Sequence, residues 1–188
     1  MNESATSLVL PASACRLLSH DLPRAARPEA ALVILEAVRQ QMLGDGLLTI
    51  NIDATPDDTE PGVIELERMW SSQPGQYPVG GRKRKMLTPW TRQLFERAEV
   101  FVGEGDEALA VVFDDASLIR SMGLHAVVNV PMVECGGRCF ATLNVLGGND
   151  AWTAQERLLI ELLAALALPV VSRFAGRLRL TPTMPSLV

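Results

Sequence analysis

The sequence predicts an α+β domain, a central antiparallel β-sheet with long helices before and after it in the chain. Three observations carry this. Val127 to Leu146 (VVNVPMVECGGRCFATLNVL) is two alternating runs joined by Gly136-Gly137. That is the mark of a β-hairpin, because a tight turn needs positive φ and glycine takes it freely. Leu47 to Asp53 (LLTINID) alternates at period two in the same way. Apolar residues recur at helical spacing through Ala31, Leu32, Leu35, Val38, Met42 and Leu43, and crowd nearly every side of Leu158 to Leu168.

In chain order, residues 1–27 read as a loosely ordered arm with a short helix at Ala12 to Ser19. Pro28 opens a helix, since the first turn tolerates a missing N–H, and Gly44 ends it. After the Leu47–Asp53 strand, Pro56, Pro61 and Gly62 mark a loop. Val63 to Ser71 reads as a strand with Ile64, Leu66 and Trp70 on one face and Glu65 and Glu67 on the other. That much charge places it near a sheet edge. Ser72 to Leu87 is irregular, and its basic tetrad Arg82-Lys83-Arg84-Lys85, which could grip an anion or nucleic acid, reads rather as a solvated loop, with a short strand near Val79 or Lys85. Thr88 and Pro89 open a helix reaching about Ala98. A short strand at Val100 to Val102 follows, then helices at Asp106–Phe113 and Asp115–Met122, the second stopped by Gly123. Thr153 and Glu156 form a capping box for the last helix, which runs toward Phe174 with Pro169 expected to kink or end it. The main domain is therefore 28–175, with a flexible tail at 176–188.

With Gly136 and Gly137 as a two-residue loop, Cys135 faces Arg138, Val133 faces Phe140, Pro131 faces Thr142 and Asn129 faces Asn144. One face is then almost wholly apolar: Leu48, Ile50, Ile52, Val128, Val130, Met132, Ala141, Leu143 and Val145. The other interrupts apolar residues with Thr49, Asn51, Asn129, Thr142 and Asn144. Polar groups on an otherwise apolar face either pair with one another or meet a ligand.

Composition narrows the function. A net charge of -5 argues against nucleic acid as the main partner. Three cysteines without metal-ligand spacing fit a reducing cytoplasm. The N-terminus has no basic start and is broken by Pro11, so it is not a signal peptide. The longest apolar run, Leu158 to Val171, contains Glu161 and Pro169 and is shorter than the ~20 residues of a membrane span, so no membrane partner is expected. Neither GxxxxGK[ST] nor GxGxxG occurs, and His20 and His125 have no evident triad partners.

The run N-V-P-M-V, a turn, A-T-L-N-V-L, then W-T-A-Q-E ahead of a long apolar helix resembles the end of a GAF domain, and the likeness extends over roughly Pro28 to Arg173. The resemblance implies a GAF/PAS-like sheet with first and last helices on one face and a roofed ligand cavity on the other. It places Thr49, Asn51, Asn129, Thr142 and Asn144 on the cavity floor, and Tyr77, Trp90 and the segment from Phe113 in the roof. It therefore implies a small-molecule ligand in a sensory or regulatory protein. The chain is little more than the GAF-like unit, which suggests a stand-alone protein.

No motif names a cofactor. The bilin branch's cysteine–histidine step, the cyclic-nucleotide branch's Asn-Lys and the acidic L-D-x-D-S strand of free methionine-R-sulfoxide reductase are all missing; Leu143-Asn144-Val145-Leu146-Gly147 stands where the last would be. A redox enzyme using Cys135 is the alternative, and alternation puts Cys135 and Cys139 on opposite faces, against a disulfide between them. A third reading is a pure interaction module whose cavity is filled by its own side chains. The last helix is apolar all round, so a homodimer through Pro28–Leu43 and Trp152–Phe174 is expected.

Overall fold

The structure, a computed structural model, describes residues 7–180, with side chains through 175. Of the expected tail, 181–188 lies outside the described residues. Six strands form one antiparallel sheet: β1 (Gly46–Asp53), β2 (Val63–Ser71), β3 (Arg82–Met86), β4 (Phe101–Glu104), β5 (Ala126–Val133) and β6 (Cys139–Gly147), in the order β3-β2-β1-β6-β5-β4. The helices are α1 (Ala12–Arg16), α2 (Pro28–Leu43), α3 (Pro89–Thr91), α4 (Asp106–Val112), α5 (Ala116–Ser121) and α6 (Ala154–Leu180).

The centre of the sheet follows the expected register. Thr49 pairs with Asn144, Asn51 with Thr142, and Asn129 with Asn144 from the other side. Near the turn the register differs. Glu134 N–H donates to the Arg138 carbonyl at 3.0 Å, so the loop has three residues rather than two. Val133 therefore meets Cys139, not Phe140. An odd shift would turn every later side chain to the wrong face. A bulge at Phe140 absorbs it, and from the Met132–Ala141 pair inward the expected faces return. Phe140 itself, expected on the mixed face, joins the core of the apolar face.

That apolar face meets α2 and α6, which also pack on each other. Ile50, Val128, Ala141, Leu143 and Val145 from the sheet are buried with Leu32 and Leu35 of α2 and Leu159, Ile160, Leu163 and Val171 of α6. Each fully buried aliphatic side chain contributes roughly 1.5–3 kcal/mol, so this layer dominates stability. The Thr153–Glu156 capping box forms, with Thr153 N–H donating to Glu156 at 2.7 Å. Pro169 does not end the helix: α6 continues to Leu180. Pro169 and Ala165, whose carbonyl loses its partner, are both exposed, so the break in the helix ladder lies away from the core. The apolar run is also longer than the sequence reading allowed. By length and composition the helix segment Ala154–Ala175 is apolar enough to cross a membrane. Here one side of it is the lid of the sheet core.

The arm is more ordered than expected. From Ala12 it is helical, continuing through a π turn at Leu17–Asp21 and a 3-10 turn at Leu22–Arg24. Ala14 is fully buried, and Leu10, Leu17 and Leu18 pack on the main core.

Two corrections shape the opposite face. The basic tetrad is no loop; it is edge strand β3, paired with β2 as Leu66–Lys83 and Ile64–Lys85. Trp70 does not share a face with Leu66. A bulge at Met69 lets Arg68 pair with Asn51 while Trp70 pairs with Ile50, which carries Trp70 to the helix side and leaves Arg68 on the mixed face.

Candidate functional site

The mixed face looks toward α3, α4, α5 and the Gln73–Tyr77 loop. Between them lies a cleft lined by Thr49, Asn51, Leu66, Arg68, Tyr77, Gly81, Lys83, Lys85, Trp90, Phe113, Asn144 and Leu146. It is narrow, with a volume of about 40 Å³. A water needs roughly 10–15 Å³ by the same measure, so the closed cleft holds a few waters at most.

Six of the eight residues singled out from sequence line this cleft: Thr49, Asn51, Tyr77, Trp90, Phe113 and Asn144. Asn129 and Thr142 lie beneath it, buried. The floor amides form a relay. Trp90 Nε1 donates to Asn129 Oδ1 at 3.0 Å, Asn129 Nδ2 donates to Asn144 Oδ1 at 2.8 Å, and Asn144 Nδ2 donates to Thr49 Oγ1 at 3.3 Å. Asn129 and Asn144 thus satisfy one another, and the relay pins the Trp90 ring to the sheet. Trp90 then packs edge-on to Phe113, with centroids 5.9 Å apart. Thr88 caps α3 as expected, in a box with Thr91, which fixes where Trp90 enters the cleft. That helix is shorter than expected, one α turn followed by a π turn at Arg92–Glu96.

The sequence reading set the basic tetrad aside as solvated, yet two of its cations line the cleft. Along β3 the side chains alternate, so Arg82 and Arg84 reach Glu67 and Glu60 while Lys83 and Lys85 turn into the cleft. Lys83 Nζ donates to Asp115 Oδ2 at 2.7 Å, and Lys85 pairs with Asp114. Tyr77 O–H donates to the same Asp115 oxygen. The Asp115 carboxylate makes no cap to α5 and is drawn to the cleft instead. Burial pushes the Asp115 carboxyl up, but the hydrogen bonds from Lys83 and Tyr77 outweigh it, and its pKa is net lowered. Burial, reinforced by Asp115, drives the Tyr77 phenol well above its ordinary value.

Arg68 is 8% exposed. Its Nη1 donates to the Pro78 carbonyl at 2.9 Å, and its guanidinium lies 3.6 Å above the Tyr77 ring. Its Nε has no hydrogen-bond partner, and among the described residues no carboxylate forms an ion pair with it. The signal that could have found these residues is period-two alternation, which separates Lys83 and Lys85 from Arg82 and Arg84 and sets Arg68 on the face of Ile64 and Leu66.

Cys135 is exposed and Cys139 buried, and neither lines the cleft. Burial pushes the Cys139 thiol up to about 11, away from thiolate chemistry. His125 sits apart, paired with Asp106 at 2.8 Å.

A family model described as the GAF domain matches residues 15–168, most of the chain. No curated protein sequence matches. Among solved structures, the chain is similar to the GAF domain of a phosphoenolpyruvate-protein phosphotransferase from Coxiella burnetii, at 16% identity and TM-score 0.62, covering 88% of this chain and 94% of that one. It is similar to the chromophore-binding domain of an unusual bacteriophytochrome from R. palustris, at 12% identity and TM-score 0.59. That match covers 88% of this chain, and this chain spans only 62% of that domain. It is also similar to the GAF domain of a two-component sensor histidine kinase from Bacillus halodurans, at 10% identity and TM-score 0.54, covering 76% and 94%. Identities this low speak for the fold alone.

Proposed function

The chain belongs to the GAF family, a family of small-molecule-binding sensory and regulatory domains, and on that premise we propose that it senses a small molecule in the cleft between the mixed sheet face and the α3–α5 roof. The observation that carries this is convergence. Polar Thr49, Asn51 and Asn144 from the central strands meet aromatic Tyr77, Trp90 and Phe113 from the roof across a shared space. Small-molecule sites are built this way, apolar walls with a few aimed polar groups.

The rival is an interaction module whose cleft is closed by its own side chains, which the small volume favours. A thermal-shift screen of metabolites on the wild type and on Asn51→Phe separates them. Asn51 is half-buried on the cleft wall, so the phenyl group fills the space. Hits that stabilise only the wild type support the sensor. A screen without hits, or hits that stabilise both proteins equally, goes to the rival.

We also propose a two-fold dimer through Pro28–Leu43 and Trp152–Phe174, with the clefts on the outer faces. The arm covers these helices only in part: Val33 of α2 is 59% exposed and Leu158 of α6 is 41% exposed. Light scattering at micromolar concentration checks it, and a monomer removes it. In that arrangement a ligand is read out as a change in helix packing.

A further inference from the structure

We propose that the cleft takes a small organic anion whose carboxylate or phosphate is received by Arg68, Lys83 and Lys85, and that Asp114 and Asp115 stand in for that anion while the roof is shut. This rests on the reading of the cleft as a ligand site and gives that site its chemistry.

Arg68 is the first reason. A cation removed from water needs a counter-charge, and a guanidinium matches a carboxylate or phosphate with two parallel N–H donors. Arg68 is buried over Tyr77, its Nε has no partner, and it forms no ion pair among the described residues. Folding has therefore placed a positive charge where none of the described residues supplies an anion paired with it.

The second reason is how the two lysines are held. Both of their partners, Asp114 and Asp115, come from the roof and not from the sheet. The Asp114 carboxylate is largely exposed, and exposed ion pairs contribute little, so an incoming anion displaces it at small cost. Asp115 is more buried, yet its Oδ1 has no partner. The latch is thus imperfect at both ends: an unpartnered guanidinium nitrogen and an unpartnered carboxylate oxygen, on either side of Tyr77. A ligand anion bound to Arg68 and the lysines releases the Asp115 segment to solvent, and the roof moves outward to make the room the closed cleft lacks.

The rest of the cleft describes the rest of the ligand. Leu66, Trp90, Phe113 and Leu146 offer an apolar wall with two aromatic faces. The Asn51 amide lines the cleft and makes no side-chain hydrogen bond among the described residues, so it is free to meet a polar group at the ligand's far end. The ligand class is an anion on an aromatic or branched aliphatic body.

The test uses four probes of matched shape: benzoate and phenyl phosphate, neutral benzamide, and cationic benzylamine. Calorimetry gives affinity, and amide NMR shifts locate binding. At least one anion is expected to bind, more weakly as salt rises, with shifts at residues 77–85 and 113–116, and benzamide at least about tenfold weaker. Arg68→Gln is expected to weaken the anion about tenfold or more. Asp115→Asn is expected to tighten it, because a competing carboxylate is gone. Should Arg68→Gln not fold, Lys83→Gln and Lys85→Gln carry the same test from partly exposed positions. Benzamide binding as well as benzoate, with the same shifts, overturns the anion and leaves the cleft reading intact. Anion binding that persists in Asn51→Phe puts the site elsewhere and overturns both. Anion affinity unchanged in the cation variants, or no binding by either anion at millimolar concentration, also overturns the proposal.

Discussion

On the helix side of the sheet, Leu48, Ile50, Val128, Leu143 and Val145 are almost completely buried within one large apolar cluster. On the other side, from the same strands and often the next residue, Thr49, Asn51 and Asn144 line a cleft shared with Arg68, Lys83 and Lys85, the two lysines paired with roof aspartates. The helix side gains free energy from every apolar residue it buries, and its buried charges, Glu36 and Arg39 of α2, are paired with each other at 2.7 Å. The cleft side holds polar groups that break even when paired and cost stability when not. Residues that lower stability persist where they serve something else, and the cleft side collects them. Substituting one residue on each face is the direct way to break this comparison.

Leu143→Ala carries the largest expected effect. Leu143 is 1% exposed at the middle of β6 under α2 and α6, so truncation leaves a cavity in the densest layer. The expected loss is about 2–5 kcal/mol by denaturant unfolding. Arg68→Met, a change of similar drama on paper, is expected to leave stability unchanged or raise it, because it removes a buried charge without a counter-ion. A large loss for Arg68→Met would show that the cleft side is built for stability as well.

Asn144→Leu comes next. It leaves Asn129 Nδ2 without its acceptor and Thr49 without its donor, and loosens the anchor of Trp90. Leaving a buried donor unsatisfied costs about 1–3 kcal/mol, so the unfolding midpoint falls, though less than for Leu143→Ala. Because these amides already bond to one another, the effect should appear in apo stability. A stable Asn144→Leu would mean that the relay contributes nothing to holding the roof.

How far the site could be read from sequence follows from which interactions are local. Asn129 opposite Asn144 is fixed by a hairpin, and Thr49 and Asn51 follow from alternation alone. Tyr77, Trp90 and Phe113 needed the GAF resemblance, since nothing near them in the chain says that they return over the sheet. Arg68 shares the face of Ile64 and Leu66 by simple alternation; what alternation cannot show is the Met69 bulge, which turns Trp70 off that face to the helix side. The same kind of bulge at Phe140 went unseen but did no harm, since it cancelled the extra loop residue. The basic tetrad was misread because four consecutive charges look solvated by composition, and only pairing with β2, which is distant in sequence, sorts them into two faces.

The smallest expected effect sharpens the comparison within one strand. Arg82 and Arg84 alternate with Lys83 and Lys85 along β3, and they differ only in which way they point. Arg82 donates to Glu67 at 2.8 Å and Arg84 pairs with Glu60, with both guanidinium groups largely exposed. Such pairs are screened and hold long side chains in one pose, so each contributes less than about 1 kcal/mol. Arg82→Ser with Arg84→Ser should therefore shift the unfolding midpoint barely beyond error and leave benzoate affinity where it was, although it removes two positive charges a few ångströms from the cleft. Lys83→Gln with Lys85→Gln removes the same charge from the same strand and is expected to reduce that affinity. If both pairs weakened the anion equally, the attraction would be a general field of the basic edge and not a site. A difference between the two pairs would show that strand alternation, which decides facing one residue at a time, separates solvating charge from binding charge in this chain.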